Sequence, residues 1–275
     1  MAETPVANRL TLDLEPVVAE NYQRHIDSAD EWFAHDYVPF DQGRNFAFLG
    51  GEDWKPSEVT LPAHVVDALE ILLIVKDNLA AYHRELVEHF ILDWKWGRWI
   101  GRWTAEEHIH AVVLRNYLVV TRNFDPSANE DVRVAHVMKG YRANQLTQIE
   151  TLAFMAFFER AHGVFCRRLA EQIEEPTLRS LVERIALDEE RHELFFTNLL
   201  RHCLELDEAQ TLRAVATQAA AAQTPGADVL AYADKRTVVA DAGIFGPDQL
   251  RQVVADEIAA LGLSERTELV DFVNI

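Results

Sequence analysis

Only two cysteines, Cys166 and Cys203, occur in 275 residues, which excludes a disulfide framework and a cysteine-based zinc motif. Both fall inside helical patterns and read as small core residues. Their scarcity fits a reducing compartment, so a cytoplasmic location is expected. Long apolar runs are missing too: no stretch approaches the roughly 20 consecutive apolar residues of a membrane span. The first residues, Met1-Ala2-Glu3-Thr4-Pro5, lack the basic start and apolar run of a signal peptide. Basic residues are few. Lysine and arginine number 26 against 45 aspartates and glutamates, a net charge of −19. A nucleic-acid partner needs a basic surface and is not expected.

What remains is a chain with 49% hydrophobic residues, enough for a sizeable core. Its pattern has a period of 3.6 almost throughout and nowhere reads convincingly as a hairpin. The expected class is all-α. Helices are predicted over Glu15 to His35, from Pro62 to about Phe90, and from a tryptophan-rich segment to about Arg122. Two more are predicted over Glu130 to Ile173, with a break near Gly140 to Asn144, and from Pro176 to about Leu206. Shorter ones follow, separated at Pro225-Gly226 and at Gly243 to Pro247. One domain over 1–275 is expected, with a bundle at about 62–206 and flanking helices at about 207–275.

Three helices carry polar residues where an apolar stripe belongs. After Pro176 the stripe reads Leu178, Leu181, Ile185, then Glu189 and His192, then Phe196, Leu199, Cys203. Before it come Ile149, Leu152, Ala156, then Glu159, then Gly163, Cys166, Leu169. The helix around residue 110 gives Trp103, then Glu107 and His110, then Leu114 and Leu118. Carboxylates facing a core need a cationic partner, because desolvating a bare charge costs several kcal/mol. Positions i and i+3 share a helical face, so each Glu-x-x-His pair can point at one ion. Glu107, His110, Glu159, Glu189 and His192 are therefore the candidate ligands. Mixed oxygen and nitrogen donors suit iron or manganese, and zinc usually takes fewer ligands. Two Glu-x-x-His helices with a Glu from each of two others is the ligand set of ferritin-like di-iron bundles. Blander explanations stand beside this one. Thr104 to Glu107 fits a capping box, and Glu189 lies in the polar run Asp188 to Arg191.

At these residues the chain resembles the soluble acyl-acyl carrier protein desaturases, the family of the plant stearoyl enzyme. Trp103-Thr104-Ala105-Glu106-Glu107-His108-Ile109-His110 is similar to the family's W-T-A-E-E-N-R-H. Asp188-Glu189-Glu190-Arg191-His192-Glu193 is similar to D-E-K-R-H-E, and Phe158-Glu159-Arg160-Ala161 to F-Q-E-R-A. The resemblance implies a ferritin-like helical bundle with extra flanking helices, two iron ions, and a homodimer. It implies that dioxygen and two electrons from a ferredoxin-type donor place a cis double bond in an acyl chain held on acyl carrier protein. It also gives Asp188 the task of orienting a ligand histidine from behind.

Two positions depart from the family. Ile74 to Tyr82 aligns with the family's first ligand segment and places Lys76 on the expected glutamate. The stripe Val65, Leu69, Leu72, Lys76, Leu79, His83, Leu86, Phe90 puts that lysine on the core face. Its ammonium can pair with the glutamates, can snorkel to solvent, or can leave Asp77 or Glu70 to supply the missing carboxylate. His162 stands where the family has threonine and is read as a further ligand, a proton donor or a half-buried histidine. Lys76 keeps open a relative that binds the acylated carrier, or regulates an active enzyme, without desaturating. A different di-metal oxidase or a storage bundle is the third possibility. Docking an acidic carrier on an acidic chain needs a local basic patch, for which Arg167 and Arg168, or Lys235 and Arg236, are candidates.

Overall fold

In a computed structural model, which describes residues 8–140 and 145–273, the chain is helical and no strand occurs among those residues. Eleven α-helices are described. α1 spans Arg9–Ser28, α2 Ala63–Asp77, α3 Leu79–His89, α4 Trp94–Thr121, α5 Pro126–Val137 and α6 Gln148–Gln172. α7 spans Pro176–Leu206, α8 Glu208–Ala221, α9 Ala233–Asp241, α10 Pro247–Ala260 and α11 Val270–Val273.

Local chemistry sets several boundaries. Thr147 and Glu150 form a reciprocal capping box at the start of α6, satisfying two otherwise orphaned donors. Pro176 opens α7, where it gives up no helical hydrogen bond, and the Glu175 carboxylate accepts from the Thr177 and Leu178 N–H groups. Asp125 and Pro126 do the same for α5.

The predicted helices hold in place more than in number or extent. The first runs over Arg9–Ser28 rather than Glu15 to His35, and Ala34–Asp36 is a 3-10 turn. The predicted helix from Pro62 to Phe90 is two helices, broken at Asn78. The tryptophan segment is the beginning of α4 itself. Thr104 therefore caps nothing, and its hydroxyl donates to the Ile100 carbonyl one turn back. The Glu130 to Ile173 stretch is α5 and α6 separated; Tyr141 to Asn144, within the predicted break, lie outside the described residues.

The core is in two parts. One holds Val65 to Val75 of α2, Val113 to Leu118 of α4, Phe165 to Ala170 of α6 and Leu178 to Ala186 of α7. The other holds Leu86 of α3, Trp96 to Trp103 of α4, Ile149 to Phe157 of α6 and Phe195 to Cys203 of α7. Between them each helix contributes its polar residues: Lys76, Glu107 with His110, Glu159, and Glu189 with His192, all at 1% exposure or less. The sequence stripes thus become one buried polar layer across the bundle.

Candidate metal centre

The layer is built from four helices. α4 and α7 each present an i, i+3 pair, α6 presents Glu159, and α2 presents Lys76 in its last turn, just before the break at Asn78. The lysine does not snorkel. Its Nζ donates to both oxygens of Glu107, at 2.9 and 2.8 Å, and to Glu189 Oε1 at 2.7 Å. Burial alone would pull the ammonium's pKa down, but Glu107, Glu189 and Glu159 outweigh it and hold the pKa above the ordinary lysine value. Asp77 and Glu70 do not replace the missing carboxylate. Asp77 pairs with Arg115, and Glu70 with Lys235 at 2.6 Å.

Both histidines are oriented from behind. His110 Nε2 lies 3.3 Å from Asp188 Oδ2. The same carboxylate accepts from Trp32 Nε1 at 2.9 Å and from Arg184 and Arg191 at 2.7 and 3.0 Å. His192 Nε2 lies 3.0 Å from Glu106 Oε2, and Glu106 also holds His25 and Arg102. With Nε2 engaged outward, Nδ1 of each ring is left facing the glutamates. His110 Nδ1 is 3.1 Å from Glu189 Oε1, and His192 Nδ1 is 3.7 Å from Glu159 Oε2. Trp103 Nε1 donates to Glu159 Oε1 at 2.7 Å.

The two halves of the layer differ. In the half bounded by Glu107, Glu189 and His110, the Lys76 ammonium takes the cationic position. In the other, Glu107, Glu159, Glu189 and His192 each offer one ligand atom, all within 4.8 Å of one another. Buried Glu159 Oε2, Glu189 Oε2 and His192 Nδ1 have no hydrogen-bond partner among the described residues. Orphaned buried acceptors of this kind are expensive, and one divalent ion satisfies all three. The charge agrees: three carboxylates against one ammonium leave two negative charges. The residues fit one ion beside Lys76 better than two.

The ion-free layer covers its charge with protons. Burial and the neighbouring carboxylates push the Glu159 pKa up to about 8. Despite burial, Glu106, Glu107 and Glu159 hold the His192 pKa well above the usual histidine value. Ligands must shed protons to bind a metal. Apparent ion affinity is therefore expected to climb with pH, because Glu159 and His192 each give up a proton when the ion binds. Calorimetry in buffers of different ionisation enthalpy measures the proton release. A pH-independent affinity would show that the ion binds elsewhere.

His162 is buried at 2% rather than half-buried, and it belongs to no cluster of ligand atoms among the described residues. Burial and the Lys76 ammonium push its pKa down to about 3, so the ring is neutral. Its edge meets Phe158, with ring centroids 4.0 Å apart. It forms part of the wall of a cavity of about 340 Å³, lined by Val75, Tyr82, Phe154, Phe157 and Phe158 and carrying Asn78, Lys139 and Asp228 as polar groups. Its wall includes Val75 and Asn78, which flank Lys76 along the chain, and His162, one turn beyond Glu159. The basic patches named from the sequence are already committed. Arg167 pairs with Glu190, Lys235 with Asp67 and Glu70, and Arg168 and Arg236 donate to backbone carbonyls.

Trp32, Glu106 and His25 were not singled out from the sequence. Their roles depend on partners from other helices, which spacing along one helix does not reveal. Glu106 and Trp103 did lie inside the motif already quoted.

A family model described as fatty acid desaturase matches residues 8–272. A Mycobacterium tuberculosis protein provisionally named acyl-[acyl-carrier-protein] desaturase DesA2 is 64% identical over 274 residues, covering 100% of both chains. Another from that organism, provisionally named acyl-[acyl-carrier-protein] desaturase DesA1, is 32% identical over 94% of this chain and 80% of its own. An X-ray structure of DesA2 superposes with a TM-score of 0.86 at 56% identity, covering 97% of this chain and 100% of that one. The ferritin-like helical bundle expected from the sequence is thereby established, and the chain belongs to the fatty acid desaturase family, a family of oxidoreductases.

Proposed function

We propose that this chain is an acyl-[acyl-carrier-protein] desaturase-type oxidoreductase that places a cis double bond in a carrier-bound acyl chain, in fatty acid biosynthesis. In this reading one redox-active ion, iron or manganese, is held by Glu107, Glu159, Glu189 and His192. Lys76 and His110 complete the layer where the resemblance implied a second ion. The observation that carries the reading is the aromatic-walled cavity whose lining includes His162, one turn beyond Glu159, and Val75 and Asn78, which flank Lys76. Dioxygen, a ferredoxin-type electron donor, a homodimeric assembly and a cytoplasmic location complete the proposal.

The chain's own residues supply position and shelter. Phe154, Phe157 and Phe158 exclude water along the acyl chain, which suits a site that fixes the substrate by apolar contact. Asn78 and Lys139, also on the cavity wall, offer donors to the thioester arm. Asp188 and Glu106 fix the tautomers of His110 and His192. His162, neutral in the wall, presents an uncharged ring to the cavity. When bound, the ion supplies with dioxygen the oxidising power that an unactivated C–H bond demands and no side chain provides.

The test is to load the chain with iron and supply acyl carrier protein bearing acyl groups of several lengths, with dioxygen, ferredoxin and its reductase. Mass spectrometry of the recovered acyl groups is expected to show loss of two hydrogens. Lys76 favours one other reading, in which the chain binds the acylated carrier without desaturating it. Saturable binding with the acyl mass unchanged, under conditions where a plant enzyme turns over, would establish that reading instead.

A further inference from the structure

We propose that the cavity is built for an acyl chain bearing an oxygen substituent, a hydroxyl above all, and that Gln218 is the residue that recognises it. The proposal rests on the reading of the cavity as the acyl-chain site.

The lining residues divide by exposure. Lys139, Gly140, Ala221, Gln223 and Asp228 are exposed and mark the mouth. Val75, Phe157, His162, Gln218 and Val253 are buried and form the inner wall. Three of the buried lining residues have polar side chains: His136, His162 and Gln218. His136 is paired with Asp228 at 3.5 Å. His162 Nδ1 has no partner and belongs to a ring that stacks edge-on against Phe158. The Gln218 residue is 6% exposed, and its side-chain carboxamide makes no hydrogen bond among the described residues.

Packing of α8 does not ask for a glutamine there. The buried face of that helix is Thr211, Leu212, Ala214, Val215, Gln218 and Ala219. Thr211 satisfies its own hydroxyl by donating to the Asp207 carbonyl one turn back, at 2.8 Å. Gln218 has no such local partner, and it follows Ala214 and Val215 at the four- and three-residue steps that share a face. Leucine or methionine would bury similar surface and leave no amide to satisfy. A buried amide without a partner is costly, so the partner has to come from what enters the cavity.

The chemistry of that partner follows from the carboxamide, which has an accepting oxygen and two N–H donors. A plain hydrocarbon chain offers it nothing, and strands it on displacing water. A hydroxyl both donates and accepts and matches either end of the amide; a keto oxygen engages the donors alone. The amides of the carrier arm belong at the mouth, near Lys139, whereas Gln218 stands one turn before the exposed Ala221 and is buried. A site that hydrogen-bonds a substrate hydroxyl discriminates against the analogue lacking it, because its own polar group is then left unpaired. Phenylalanine walls alone do not make that distinction.

The experiment uses the full chain and acyl carrier protein bearing acyl groups of one length, either plain or with a single hydroxyl moved along the chain. Calorimetry gives the dissociation constants, with unacylated carrier as the control for arm contacts. Binding at least about tenfold tighter is expected for one or more hydroxylated conjugates, the scale of one satisfied buried polar group. In Gln218→Leu the preference is expected to vanish while the plain conjugate binds at least as tightly as before. Plain and hydroxylated conjugates that bind the wild type alike at every position would overturn the proposal and leave the acyl cavity standing. A preference that survives in Gln218→Leu would overturn the assignment to Gln218. An equal loss for plain and hydroxylated conjugates would overturn it too, by assigning Gln218 to the carrier arm. Acylated carrier that binds no more tightly than unacylated carrier would overturn both this proposal and the acyl-site reading. The wild-type comparison needs no variant, so a poorly folded mutant does not decide the outcome.

Discussion

Replacing Lys76 with methionine is expected to destabilise the ion-free protein by about 3–5 kcal/mol, the usual cost of removing one partner from a buried charge pair. The side chain is similar in length and fills the same space, so packing changes little and the loss is electrostatic. Glu107 and Glu189 each lose a hydrogen-bonded ammonium at 2.7 to 2.9 Å in a layer closed to water. Thermal and denaturant unfolding measure the loss. A change below about 1 kcal/mol would mean that the two carboxylates are satisfied without the lysine. Lys76→Glu tests the same logic with the opposite sign. It brings the layer to four carboxylates and removes its only ammonium, so bound ions are expected to rise from one to two per chain by elemental analysis. Two ions in the unaltered protein would refute the assignment of Lys76 as a cation in place of a metal.

Divalent ions are expected to be the strongest stabilising ligand of the unaltered chain. A ligand that binds only the folded state contributes about 4 kcal/mol at 1,000 times its dissociation constant. For a chain of 275 residues this is a rise of roughly 8 °C in Tm, at about 2 °C per kcal/mol, the lower end of the range for large domains. A strong chelator should reverse the rise, and manganese or iron should restore it. Glu159→Gln and His192→Ala, which remove ligands from the open half only, should abolish the response. If they leave it intact, the ion sits with His25 and Glu106 or elsewhere, and the layer must be read as a salt-bridge network.

The sequence carried the polar layer because each helix announces it locally. Glu107, His110, Glu159, Glu189 and His192 interrupt apolar stripes whose period is set by backbone geometry, and Lys76 interrupts another in the same way. The break at Asn78 left no mark, since Leu72, Lys76, Leu79 and Leu86 keep step across it. The end of α1 was misplaced because Trp32 and Phe33 prolong the apparent pattern past Ser28. The capping motif at Thr104 was plausible on its four residues and wrong on the whole helix, which begins ten residues earlier at Trp94. Least legible were the pairings across helices: Trp32 with Asp188, Glu106 with His192, Lys235 with Glu70. They depend on how helices are rotated against one another, and one stripe alone does not contain that information.

The division of the core by a charged sheet of side chains has a consequence for assembly. Two greasy halves of leucine, phenylalanine and valine tolerate small vertical slips between helices, since one apolar contact resembles the next. Ionic groups do not. Sliding α6 by one turn against α7 would set Glu159 against leucine and strand an ammonium or a carboxylate in hydrocarbon, at a cost of several kcal/mol per ion. The layer therefore acts as a vernier: it picks one axial alignment of the helices out of many that would bury similar area, as a single buried polar residue fixes the register of a coiled coil.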